Sequence, residues 1–232
     1  MKYLLTSAGI KNDSIRKSLV DLLGKPIAES NALCIPTASY GHPMAGPVAA
    51  WRFISGQEPE TPMCELGWKS LGVLELTALP SIDKERWVSW VREADVLLVN
   101  GGDALYLYHW MRQSGMADLL LTAQPPLRET VWVGLSAGSM VMTPRIGEYF
   151  VEWKPPSGGG AIHGDETLGV VDFSIFPHLD HPDLPHNTMA DAERWAASMP
   201  VPCYAIDDQT AIKVVDGEVE VISEGHWKRF TR

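Results

Sequence analysis

Gly134-Leu135-Ser136-Ala137-Gly138 has the G-x-S-x-G form, set between the apolar run Val131–Leu135 and a helical stretch from Ala137 to Met142. A serine that leaves a strand and enters a helix through such a turn sits in a strained conformation, and its neighbours must be small because the chain folds back tightly. The turn exposes the hydroxyl at the carboxyl end of a sheet. It also aims the amide of Ala137 and the helix N-terminus at an oxyanion developing there. A serine so placed points to nucleophilic acyl transfer, and without chemistry the same pattern is a small-residue strand–helix turn. A second stretch, Asn100-Gly101-Gly102-Asp103, ends the apolar run Val96–Val99 and begins another helix, so its amides face the same sheet edge. Alone, the Gly-Gly pair reads equally as a plain turn or a phosphate-binding loop.

A serine hydroxyl needs a base. Of the seven histidines (His42, His109, His163, His178, His181, His186 and His226), His178 ends the apolar run Phe173–Pro177, which should carry it to the edge where Ser136 lies. A carboxylate must then orient the imidazole. Asp207 and Asp208 follow the apolar run Cys203–Ile206, with Glu148, Glu152 and Asp172 as competitors, and spacing alone does not choose among them. Residues 178–186 also hold three histidines and two aspartates, which could ligate zinc. Prolines interrupt that segment, it has no i, i+4 histidine pair, and a metal would leave Ser136 without a role. No metal or other cofactor is expected.

The elements that must position these residues alternate. Strands are expected at Tyr3–Thr6, Ala32–Ile35, Val73–Leu76, Val96–Val99 and Val131–Leu135. Helices should run from the Asn12 cap to Leu23 before Gly24, around Val48–Ile54, after the Asp83 cap, and from Ala104 to Met111. Short continuous apolar strands alternating with helices predict an α/β fold, a mainly parallel sheet covered by helices on both faces. Beyond Pro144 the pattern changes. Pro155–Gly160 reads as a loop, Phe173–Phe176 as a strand and Thr188–Met199 as a helix, and the tail reads as strands around the turn at Asp216-Gly217.

A chain of 232 residues with 45% hydrophobic content suits one α/β domain over 1–232. Its net charge of -10, from 29 acidic and 19 basic residues, repels phosphate backbones and anionic lipid, so neither nucleic acid nor membrane is expected as a partner. The opening apolar run breaks at Gly9, too short for a secretory signal. Three widely spaced cysteines, Cys34, Cys64 and Cys203, suit a reducing compartment, so a cytoplasmic protein is expected.

Four segments, in order, resemble the peptidase E family of aspartyl dipeptidases, with cyanophycinase a more distant relative. They are Val-Asn-Gly-Gly-Asp at 99–103, Gly-Leu-Ser-Ala-Gly-Ser at 134–139, Phe-Pro-His-Leu-Asp at 176–180 and Ala-Ile-Asp-Asp-Gln-Thr-Ala-Ile at 205–212. The resemblance implies a three-layer fold like the class I glutamine amidotransferase domain, with serine where those enzymes carry cysteine. It implies Ser136 as nucleophile, His178 as base, Asp208 at the position of the family's triad glutamate, and Gly102 and Ala137 as oxyanion donors. The order Ser, His, acid separates it from α/β-hydrolases. Two departures stand out: the dipeptidases have asparagine where this chain has Asp103, and Asp208 is one methylene shorter than glutamate. The dipeptidases also use an acid near the site mouth to select an N-terminal aspartate; Glu148 and Glu152 lie in that region without aligning cleanly. The expected activity is serine-type hydrolysis of small peptides, including dipeptides with N-terminal Asp, through an acyl-enzyme at Ser136. The alternatives are an esterase or amidase on a non-peptide substrate, and a non-catalytic binding protein of the same fold. A small peptide is the expected partner, and a homodimer is left open.

Overall fold

The computed structural model describes residues 1–122, 124–127, 129–154 and 164–231. The expected loop at Pro155–Gly160, and His163, lie outside the described residues. Strands and helices alternate as β1 (Lys2–Thr6), α1 (Asp13–Leu23), β2 (Asn31–Ile35), α2 (Pro47–Ser55), β3 (Ser70–Val73), α3 (Lys84–Glu93), β4 (Val96–Val99), α4 (Ala104–Gln113), α5 (Met116–Thr122), β5 (Val131–Leu135) and α6 (Ala137–Met140). There follow β6 (Ser174–Phe176), α7 (Met189–Ser198), β7 (Cys203–Ile206), β8 (Thr210–Val215), β9 (Glu218–Ser223) and β10 (Trp227–Phe230).

Among the described residues the central sheet has seven strands in the order β3-β2-β4-β5-β1-β8-β9. Its first five are parallel, and β8 and β9 extend it antiparallel beyond β1. Successive residues of a strand point to opposite faces, so a strand covered on both must be apolar throughout. All of β4 and β5 is buried accordingly. Leu5, Leu97 and Val99 pack on one face against Trp87, Leu105 and Met116 of α3, α4 and α5. On the other, Leu4, Leu98 and Val133 meet Ile15 and Leu19 of α1 and Phe53 of α2. Burying such a side chain stabilises by about 1.5–3 kcal/mol. Among the described residues no helix is long and apolar enough to cross a membrane.

Local signals account for the helix boundaries. Asn12 Oδ1 accepts from Ile15 N at 2.9 Å, and Gly24 ends α1 at φ 68. Asp83 Oδ1 accepts from Glu85 N at 2.9 Å to start α3.

The architecture departs from the expected one in three places. The third strand is Ser70–Val73, earlier than the apolar run at 73–76. That run marks the chain leaving an exposed edge strand for the core, where Leu74 and Leu76 are buried. The helix after Ser136 ends at Met140 and not at Met142, so it is a single turn. The strands near His178 and Asp208 do not join the central sheet: β6 pairs parallel with β7, and β10 pairs antiparallel with β7, in a separate three-stranded sheet. Phe176 and Cys203 of that sheet pack with Trp195 of α7.

Candidate active site

Because β4, β5 and β1 are adjacent and parallel, their carboxyl ends deliver residues 100–103, Ser136 and Ser7 to one crevice. Ser136 has φ 49 and ψ -110, a backbone region that a residue with a Cβ rarely adopts. The surroundings hold it there. Its N–H donates to Thr6 O at 3.0 Å, and Ser139 Oγ donates to the same carbonyl at 2.8 Å. Trp132 Nε1 donates to Gly138 O at 2.9 Å, which satisfies the indole inside the core. Only glycine fits at 138, because a Cβ there would lie 2.3 Å from Val99 O.

The second loop is equally tight. Gly102 has φ 138, and a Cβ on it would lie 2.3 Å from Ala38 O. Gly101 packs so closely on the serine turn that its own Cβ would come within 3.4 Å of Ser136 Cβ. Among the described residues neither the Gly102 amide nor the Ala137 amide donates to another protein group. With α6 a single turn, no long helix dipole stands behind Ser136. Asp103 explains one departure from the dipeptidases. Its Oδ1 accepts from Tyr106 N at 2.8 Å, capping α4, while Oδ2 accepts from Trp153 N at 3.0 Å. An asparagine has one acceptor oxygen and could satisfy only one of these donors. Burial raises the Asp103 pKa above the ordinary aspartate value despite those backbone bonds, and the charge of Glu152 adds to the rise.

The separate sheet brings in the other partners. His178 follows β6 and has φ 56, and its Nδ1 lies 2.8 Å from Asp208 Oδ1, just beyond β7. A carboxylate only accepts, so the shared proton resides on Nδ1, and in the neutral ring Nε2 is then the acceptor. Ser7 was not singled out by any sequence pattern, yet its Oγ donates to Asp208 Oδ1 at 2.9 Å and accepts from His178 N at 2.7 Å. For Asp208, burial opposes ionisation, but the His178 hydrogen bond and charge, with help from Ser7 and His181, prevail and lower its pKa. No hydrogen bond joins Ser136 Oγ to His178 among the described residues; unliganded sites often hold such pairs apart.

The rival acids are placed elsewhere. Asp207 is committed to its own turn and to the strand after it: Oδ1 accepts from Thr210 Oγ1 at 2.6 Å, and Oδ2 accepts from His226 N at 2.7 Å. Asp172 and Glu148 are exposed. The donors of residues 178–186 diverge as well, with His181 Nε2 3.6 Å from Asp208 Oδ2 and Asp180 Oδ2 2.9 Å from His226 Nε2. Among the described residues no group of three or more His, Cys, Asp or Glu is arranged to hold a metal ion.

A cavity of about 600 Å³ opens over these groups, and Gly102, Ser136, His178 and Glu152 all contribute to its wall. Glu148 does not line it. Glu152 Oε2 lies 3.8 Å from His42 Nε2 on that wall.

The same arrangement of elements occurs in solved structures. A Listeria monocytogenes EGD-e protein described as a candidate peptidase E superposes with a TM-score of 0.66 at 19% identity, over 97% of this chain and 98% of that one. A peptidase from an acI-B1 Actinobacterium does so with a TM-score of 0.59 at 18% identity, over 99% of this chain and 93% of that one. At these identities the likeness shows the fold, the class I glutamine amidotransferase-like arrangement that the sequence motifs imply. No protein of curated function matches the sequence. The model of peptidase family S51, in contrast, matches residues 3–222, nearly the whole length. With the serine turn, the glycine loop and the histidine all inside that span, the chain belongs to peptidase family S51, and so to the peptidases.

Proposed function

We propose that the protein hydrolyses short peptides through an acyl-enzyme on Ser136. Ser136 Oγ attacks the scissile carbonyl carbon while His178 Nε2 takes its proton. The amides of Gly102 and Ala137 receive the oxyanion. Asp208 holds the ring and stabilises the imidazolium. Collapse of the tetrahedral intermediate breaks the C–N bond, and His178 returns the proton to the departing amine. Water, deprotonated by His178, then attacks the ester, releasing the acid and restoring the hydroxyl. The observation that carries this reading is the union of a strained Ser136 at φ 49 with a His178–Asp208 pair at 2.8 Å around one cavity.

The cavity also bears on the substrate. Its described wall holds Glu58, Asp103 and Glu152 and neither lysine nor arginine. Such a wall suits the ammonium of a free amino terminus, and we assign Glu152 to that contact. An N-terminal aspartate would bring its own carboxylate against the same acids, with His42 and His186 to meet it. A dipeptide series X-Leu, with X as Asp, Ala, Leu, Phe or Lys, tests both levels in wild type and Ser136→Ala. Cleavage by wild type and none by the variant supports the serine mechanism, and the ranking over X decides aspartyl preference. Hydrolysis of simple esters with no peptide cleaved would favour the esterase alternative.

A further inference from the structure

The carboxyl end of β1 touches both the serine turn and the histidine–acid pair. Thr6 O takes the N–H of Ser136 and the hydroxyl of Ser139, at 3.0 and 2.8 Å. The next residue, Ser7, reaches the other way. Its Oγ is 2.7 Å from His178 N, 2.9 Å from Asp208 Oδ1 and 3.4 Å from His178 Nδ1. Ser7 itself is fully buried. It is also held in register: its N–H donates to Thr210 O at 3.4 Å, and Thr6 Oγ1 donates to Gly134 O at 2.7 Å and accepts from Gly9 N at 2.8 Å. One hydroxyl thus ties the nucleophile's strand pair to a histidine and an acid that come from a different sheet.

That tie answers a geometric problem. His178 has a left-handed backbone at φ 56, a conformation that persists in a non-glycine residue only when its surroundings enforce it. Asp208 has a shorter reach than a glutamate and must present one oxygen, Oδ1, to the imidazole. Ser7 fixes both at once, accepting from the His178 amide and donating to that same Oδ1. We propose that Ser7 is a positioning residue that sets the aim of the His178 imidazole through Asp208 and the His178 backbone. This rests on the roles assigned above to His178 and Asp208. Ser7 is buried and does not line the cavity, so it should act on the chemical step and not on binding.

The test is a double-mutant cycle of Ser7→Ala and Asp208→Asn, with kcat, KM and the rate at which a fluorophosphonate labels Ser136 measured for each. A hydrogen bond to a charged group is worth about 1.5–3 kcal/mol, so Ser7→Ala should lower kcat by roughly 10- to 150-fold. KM should stay within about two-fold, and labelling should slow by the same factor as kcat. In the Asp208→Asn background the Ser7 effect should shrink several-fold, because the charge that strengthens its hydrogen bond is gone while its bond from the His178 amide remains. Thermal melts report folding. If Ser7→Ala folds poorly, Ser7→Cys decides, since it keeps a side chain there while replacing a strong hydroxyl donor with a weak thiol. An unchanged kcat overturns the proposal, as does a rise in KM alone or an equal loss in both backgrounds. Turnover by Ser136→Ala would instead overturn the underlying mechanism, which separates the two failures.

Discussion

Asp208→Asn isolates the charge of the orienting acid with little change of shape. His178 Nδ1 and Ser7 Oγ both donate to the same oxygen, Oδ1. An asparagine therefore has two ways to sit. With its carbonyl oxygen at the Oδ1 position it keeps both bonds and the useful tautomer, but loses the negative charge beside the imidazolium that forms as Ser136 is deprotonated. Charge centres about 4 Å apart at an effective dielectric of about 20 interact by about 4 kcal/mol, which is a factor of about 10³ in rate. With the amide nitrogen facing the ring instead, the proton moves to Nε2 and the base is lost, a defect worth about 10⁴ in a triad of this kind. We therefore expect kcat to fall by about 10³–10⁴ with KM within about three-fold of wild type, measured on the best dipeptide. Acid unfolding provides a parallel readout. Because the Asp208 pKa is lowered in the folded state, its stabilising contribution is complete above the unfolded aspartate value of about 3.9 and is lost as pH falls through the folded value. Asp208→Asn should flatten stability against pH below about 3.9 and leave its slope unchanged above. A kcat within about ten-fold of wild type, with Asp207→Asn or Glu148→Gln inactive, would refute the assignment.

The remaining predictions concern the serine, the cavity wall and metals. Ser136→Gly and Ser136→Ala should both abolish turnover, but glycine relieves a backbone at φ 49 that alanine leaves strained. Of the about 1–3 kcal/mol stored there, about 0.5–1 is lost to glycine's extra freedom when unfolded, so Ser136→Gly should melt up to about 10 °C above Ser136→Ala; an alanine variant that melts above the glycine one contradicts this. Glu152→Gln should raise KM for peptides with a free amino terminus and spare kcat, whereas Glu148→Gln, off the cavity wall, should leave both near wild type; the reverse pattern in steady-state kinetics would exchange the two glutamates. Activity should survive prolonged treatment with EDTA or phenanthroline, because serine, histidine and amides complete the chemistry. A loss that added zinc restores would return the histidines at 178–186 to consideration as ligands.

Where each element buries a continuous apolar stretch and ends at a chemical stop, the sequence is legible. Val96–Val99 and Val131–Leu135 are wholly buried strands, and each runs straight into the small-residue turn that its position implies. Asn12, Asp83 and Gly24 act at helix ends as their side chains, or lack of one, dictate. The edges are another matter. Each residue of β10 is exposed or only half-buried, and so carries no alternating pattern to read. At β3 the apolar signal lies just past the strand, because an edge strand faces solvent and its continuation enters the core. In the site, Ser136 and His178 stand out because each terminates an apolar run. Asp207 and Asp208 are adjacent in the same run, and only the direction of each side chain separates them, one toward His226 and one toward His178. Ser7 was invisible for a related reason. A serine at the end of a strand is commonplace, and its importance lies in contacts with residues 171 and 201 positions away in sequence.

The central claim is that the reaction passes through an ester on Ser136. Rapid quenching in acid of wild-type enzyme during turnover of a slow activated substrate, followed by intact-mass and peptide mapping, tests it directly. The account predicts an acyl adduct confined to the peptide containing Ser136, formed within one turnover, absent from Ser136→Ala and much slower to form in His178→Ala. Turnover with no adduct at Ser136, or an adduct on Ser7 or Ser139 in its place, would contradict it.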